Sequence, residues 1–124
     1  MVTDREIDTG KVFEQISRTG AGSVVVHFGV VKPVVENRKT SGIRLTPDGD
    51  LEGEMQKIEN ALKEKWKLID VILIRKVGEL RVGDVILAAA VSATSKDAAF
   101  GACNEAVEVL KKKRGLKKEE LFES

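Results

Sequence analysis

One histidine and one cysteine in 124 residues leave little for the commonest metal and nucleophile chemistry. A lone cysteine excludes an internal disulfide, and Cys103 falls among apolar residues in a helical pattern, where a small buried side chain is expected. His27 stands inside an apolar strand-like run and reads more readily as a core or pocket-wall residue than as a general base. The chain has no Walker-type glycine loop, no Cys/His ligand spacing and no nucleophile-elbow pattern. No resident metal or cofactor is therefore expected. It also has no apolar run near the ~20 residues that cross a bilayer, and the acidic start with Asp4, Glu6 and Asp8 does not read as a secretory signal. By elimination the expected location is the cytoplasm, without a membrane partner.

Repeats, low-complexity tracts and linkers are also missing, so residues 1–124 are expected to form one domain. The composition, 42% hydrophobic and 33% charged, is that of a folded chain. Net charge is only +1, but Lys111, Lys112, Lys113, Arg114, Lys117 and Lys118 crowd into eight residues. Six positive charges there leave a remainder that sums to −5. Nucleic-acid coating calls for a more generally basic domain, so no nucleic-acid partner is expected; a local anion site near the C-terminus fits better. The plain alternative for this segment is a solvated run of lysines complementing a helix dipole.

Asp8 or Thr9 is a cap for a short helix carrying Val12, Phe13 and Ile16. It is expected to end before a turn at Gly20 to Gly22. Residues 23–31 are β-branched on both parities and predict a largely buried strand whose regular pairing stops at Pro33. Residues 34–42 read as a polar loop, with a short strand at 43–45 before the Pro47-Asp48-Gly49 turn. Asp50 then caps an amphipathic helix on which Leu51, Met55, Ile58, Leu62 and Trp66 recur every three or four residues. Strands are predicted near 68–75 and 84–93, antiparallel because the connection is short, with Gly78 and Gly83 at positions of unusual backbone. Ser95 or Asp97 opens a last helix, for which Gly115 is the natural stop. The fold class is α+β: a mainly antiparallel sheet with packed helices.

Taken together, HFGVVK at 27–32, MQKIENALKEKW at 55–66, RKVGELRVGD at 75–84 and KKKRGLKKEE at 111–120 resemble, in order and spacing, the family of molybdopterin synthase catalytic (large) subunits. HFGVVK, residues 27–32, is similar to that family's Phe-x-Gly-x-Val-Arg, with Lys32 at the arginine and His27 at the phenylalanine. MQKIENALKEKW is similar to its helix ending in tryptophan. The most specific stretch is RKVGELRVGD, residues 75–84, which resembles His-Arg-Val-Gly-x-Leu-x-x-Gly-Glu. Aligned on Ala99-Phe100, Ser95 falls at the histidine and Lys96 at the arginine of Ser-x-His-Arg. KKKRGLKKEE then matches Lys-x-x-x-Pro-x-Trp-Lys-x-Glu, so Lys111 and Lys118 fall on the family's two active-site lysines and Glu120 on its glutamate. Gly115 and Lys117 replace its proline and tryptophan, and TPDG at 46–49 replaces an aromatic and acidic segment.

The resemblance implies an α/β-hammerhead fold and an enzyme that moves sulfur onto a cyclic pyranopterin monophosphate precursor, forming the dithiolene of molybdopterin. It implies a small ubiquitin-like partner ending in Gly-Gly as the sulfur carrier, and a homodimer bearing one partner at each distal end. Lys111 and Lys118 are then the catalytic residues, and Lys32, Lys96, Ser95 and His27 contact substrate. The alternative is a diverged pterin-binding or partner-binding regulatory subunit of the same family.

Overall fold

A computed structural model describes residues 1–18, 20, 22–35, 37–112 and 116–122. Along the chain run β1 (Val2–Thr3), α1 (Thr9–Ser17), β2 (Ser23–Val30), β3 (Val34–Val35) and β4 (Arg38–Pro47). These are followed by α2 (Leu51–Trp66), β5 (Asp70–Lys76), β6 (Gly78–Arg81), β7 (Val85–Ala93), α3 (Lys96–Lys111) and β8 (Leu116–Phe122).

Each helix starts at a side-chain cap that accepts from an N–H left open by the first turn. Asp8 accepts from Lys11 N at 3.0 Å, Asp50 from Gly53 N at 3.0 Å and Ser95 from Ala98 N at 3.0 Å. α1 buries Val12 and Ile16, one turn apart. Phe13, expected on the same stripe, instead points outward and is 61% exposed, because so short a helix covers the sheet with one narrow face. Gly20 carries φ +72°, and Ala21 lies outside the described residues. α2 buries Leu51, Met55 and Leu62 and ends on Lys67 in the left-handed conformation (φ 53°). α3 presents Ala99, Ala102, Cys103 and Ala106, small side chains that allow close approach to β7. It ends at Lys111, and Gly115 lies outside the described residues.

The larger sheet has the order β1-β5-β7-β2. β7 is antiparallel to both neighbours, with Ala89 opposite His27 on β2 and opposite Leu73 on β5; only β1 pairs in parallel, placing Val2 beside Arg75. α2 and α3 cover one face, where Leu73, Ala89 and Val91 join the main core; α1 covers the other, over Ile74, Ala88 and Ala90. Burial on both sides explains why β7 reads as an unbroken apolar run.

The second sheet is built on β4. The stretch 34–42, expected to be a loop, holds β3 and the first half of β4, and the strand expected at 43–45 extends from 38 to 47. Its low apolar content reflects a strand with one exposed face. β6 lies along one side of β4, although its residues were expected only to connect two strands. Gly78 and Gly83, with φ of +99° and +92°, supply the two turns that make this detour possible. β8 lies along the other side, antiparallel, in a tail that had no predicted secondary structure. At the β-bulge in β4, the buried Thr40 hydroxyl accepts from Gly42 N at 3.2 Å and lies 2.8 Å from the Leu121 carbonyl, tying the end of β8 down. The inner faces of Ile43, Leu45, Leu80 and Leu116 join the same core as α2 and α3. No helix of the described residues is long and apolar enough to cross a membrane.

Candidate functional site

Where the two sheets meet the C-terminal end of α3, a cavity of about 450 Å³ opens. Its apolar wall comes from Ile43 and Leu45 of β4, Ile86 and Leu87 of β7, Leu110 of α3 and Leu116 of β8. Its polar side chains are His27, Lys32, Arg75, Lys111, Lys118 and Glu120.

The register of β8 decides what the basic tail does. Directly opposed residues of an antiparallel pair share a face. Leu116, Lys118 and Glu120 stand opposite Pro47, Leu45 and Ile43, and all three line the cavity. The intervening Glu119 lies outside, where Arg44 reaches it at 3.1 Å and Glu79 of β6 at 3.6 Å. A strand thus sorts the charges of LKKEELF onto two faces, which a solvated tail would not do. Lys118 pairs with Glu120 at 2.8 Å, both side chains being partly covered (31% and 19% exposed). The second carboxylate oxygen of Glu120 is buried and has no hydrogen-bond partner among the described residues.

Lys111 enters from the last turn of α3. Lys32 follows β2, whose exit is held by two bonds to the turn after β6: Val31 N to Asp84 O at 3.0 Å and Gly83 N to Val31 O at 3.1 Å. At Gly29 the register of β2 against β7 shifts, and a Cβ there would sit 3.3 Å from Leu87 Cβ. His27, half-buried on β2, completes that wall.

Four of the six residues singled out from sequence, Lys111, Lys118, Lys32 and His27, therefore meet at one cavity. Ser95 and Lys96 do not. Ser95 is spent as the cap of α3 and Lys96 is exposed at its first turn, about 22 Å along the helix from Lys111. Reading along the sequence also missed Arg75. It is 7% exposed, it lines the cavity, and its guanidinium donates to the Leu110 carbonyl at 2.6 Å. Burial lowers its pKa, yet an arginine remains charged. The available signal was a charged residue at the end of the apolar run VILI, since a charge in a buried strand needs a partner. Cys103 is buried, 3.7 Å from the Ala89 carbonyl, and burial raises its thiol pKa.

Four cationic side chains against one carboxylate give the cavity a net positive lining beside apolar walls, a combination suited to an anionic ligand with an apolar body. Among the described residues no three His, Cys, Asp or Glu side chains stand together as metal ligands.

A sequence profile described as "MoaE protein" matches residues 2–113. The molybdopterin synthase catalytic subunit of Ralstonia nicotianae is 29% identical over 122 residues, covering 96% of this chain and 69% of that protein. Among solved structures, molybdopterin synthase from Staphylococcus aureus superposes with a TM-score of 0.90 at 24% identity, covering 99% of this chain and 90% of that one. A protein-protein complex of subunits 1 and 2 of molybdopterin-converting factor from Helicobacter pylori contains a chain that superposes with a TM-score of 0.79 at 15% identity. That match covers 98% of this chain and 83% of the other.

Proposed function

This chain belongs to the MoaE protein family, and from that premise we propose that it is the catalytic subunit of a molybdopterin synthase. Its reaction is the transfer of sulfur from the thiocarboxylated C-terminal glycine of a small ubiquitin-like partner to cyclic pyranopterin monophosphate, giving the dithiolene. The observation that carries this reading is the meeting of Lys111 and Lys118. They leave the chain from a helix end and from a returning strand, yet line one cavity.

The chemistry requires this kind of site. A thiocarboxylate and a phosphate-bearing precursor are both anionic and repel one another in approach. Ammonium groups already in place offset that repulsion and stabilise oxyanions that develop at the acyl carbon. Lys111, exposed at the mouth, and Lys118, held by Glu120, are the residues we assign to this work. Lys32 and His27 give secondary substrate contacts from the β2 wall. Ser95 and Lys96 take no part in this cavity within one chain. The partner is a small sulfur-carrier subunit, a reading supported by the two-subunit complex among the similar structures. A homodimer with one small subunit at each distal end and a cytoplasmic address belong to the same proposal.

The test is incubation of the purified chain with thiocarboxylated partner and precursor, followed by detection of the dithiolene product. Product formation supports the assignment. Retained binding of both reactants without any product would overturn it in favour of a regulatory subunit.

A further inference from the structure

A cation taken out of water needs a counter-charge or it costs the fold heavily. Arg75 is such a cation. It is the next-to-last residue of β5, it is nearly inaccessible, and among the described residues no carboxylate forms an ion pair with it. The cavity's carboxylate, Glu120, is engaged with Lys118. What Arg75 does have is the Leu110 carbonyl at 2.6 Å, at the negative end of the α3 dipole. That contact orients the guanidinium and offsets part of its charge. A neutral carbonyl occupies one of five N–H groups, and the side chain borders the cavity.

We propose that Arg75 is the residue that recognises an oxyanion entering this cavity, two of whose oxygens accept from the guanidinium fork. The protein holds a desolvated positive charge in place, and the ligand supplies the missing negative one. Lysines at the mouth attract anions of any shape, whereas a buried planar fork selects a carboxylate-like or phosphate group with paired oxygens. This deepens the proposed function: the precursor carries a phosphate, and the partner's terminus, which offers one oxygen and one sulfur as the thiocarboxylate, has paired oxygens as the carboxylate left once its sulfur is transferred and water has supplied the second oxygen. Either the terminal acyl group of the partner chain or the phosphate of the small substrate can be the source.

Titration calorimetry and thermal melts on the whole chain separate the possibilities. The ligands are a short peptide acid ending in Gly-Gly, the same peptide with an amidated C-terminus, and inorganic phosphate. The variants are Arg75→Gln and Arg75→Lys. The wild type is expected to bind the peptide acid or phosphate and to melt higher in its presence. Arg75→Gln should weaken that binding about tenfold or more, the scale of losing a charge-assisted hydrogen bond, and abolish the ligand-induced rise. Arg75→Lys should keep phosphate better than carboxylate, because a point charge has no fork. Preference for the acid over the amide identifies the partner's terminus; binding of phosphate alone identifies the small substrate.

A glutamine variant with the full ligand-induced rise makes Arg75 a structural residue and overturns the proposal, as does a wild type that binds neither anion. Should Arg75→Gln not fold, unchanged carboxylate binding by Arg75→Lys overturns it. Dithiolene formation by the wild type is measured separately. Arg75-dependent binding without product overturns the proposed function and leaves this inference standing, and product formation with binding indifferent to Arg75 does the reverse.

Discussion

Lys111 and Lys112 are chain neighbours, both exposed, and only the first lines the cavity. That contrast gives the sharpest mutational comparison in the molecule. Lys111→Ala and Lys118→Ala should each lower dithiolene turnover by on the order of 10²-fold, the loss of one preorganised charge donor. Lys112→Ala should cost ~0–1 kcal/mol at most, as a solvated charge does. Lys113, which lies outside the described residues, is a second control with no counterpart in the family motif. Equal small losses at all four positions, with folding confirmed by melts, would mean that the segment is a basic surface and nothing more. At Cys103 the expected effect is on stability. Its pKa is raised in the fold, so the native state holds the proton more tightly than the unfolded chain. The resulting contribution is complete below the unfolded thiol's pKa, roughly 8.5, and is lost as pH rises through the folded value. Urea titrations from pH 7 to 10 should show wild type losing stability against Cys103→Ala; parallel curves would refute the assignment.

Among the elements, the helices and the strands β2, β5 and β7 of the larger sheet were open to reading because each has strong local grammar, whereas the two-residue β1 has none. Asp8, Asp50 and Ser95 stand where caps belong, and β7 is apolar on both parities because both of its faces are covered. The second sheet was legible only at 43–45, the middle of β4. β4 alternates buried and exposed residues over a polar composition, and β8 places charged residues on both faces, so neither has an apolar run to betray a strand. What makes them strands is pairing across the fold, which local pattern does not contain. The site followed the same division. Lys111 and Lys118 are singled out by the family motif, whereas Arg75, although the predicted strand at 68–75 ends on it, stands at a histidine of that motif, and local pattern does not show that its side chain is buried beside the cavity. The weight resting on β4 can be measured at Gly42. A Cβ there would lie 2.0 Å from the Leu80 carbonyl oxygen, a backbone atom of β6. Gly42→Ala should therefore cost about 3 kcal/mol, the upper part of the range for overpacking. It should also reduce turnover, because β8 is carried by the opposite edge of the same strand. A urea midpoint equal to wild type would contradict the close approach.

For the whole molecule, one core joins two sheets, and the cavity lies at their junction rather than inside either. Its walls come from β2, β4, β5, β7, α3 and β8, so its shape depends on tertiary docking throughout the chain. Light scattering of the isolated chain should give twice the chain mass, and addition of the small partner should raise it to a four-chain assembly. A monomer at every concentration would count against the dimer. The pairing of β8 with β4 has a further consequence in the time order of synthesis. Arg44 and Glu119, joined across those strands, are 75 residues apart, so a ribosome makes one side of the cavity long before the other. Until the last segment emerges, β4 has a bare edge and the nascent chain has no enclosed anion site. A message cut short before residue 116 would yield a chain with all three helices, the larger sheet and Lys32, Arg75 and Lys111, but without the strand that brings Lys118 and Glu120 to the cavity and closes its wall.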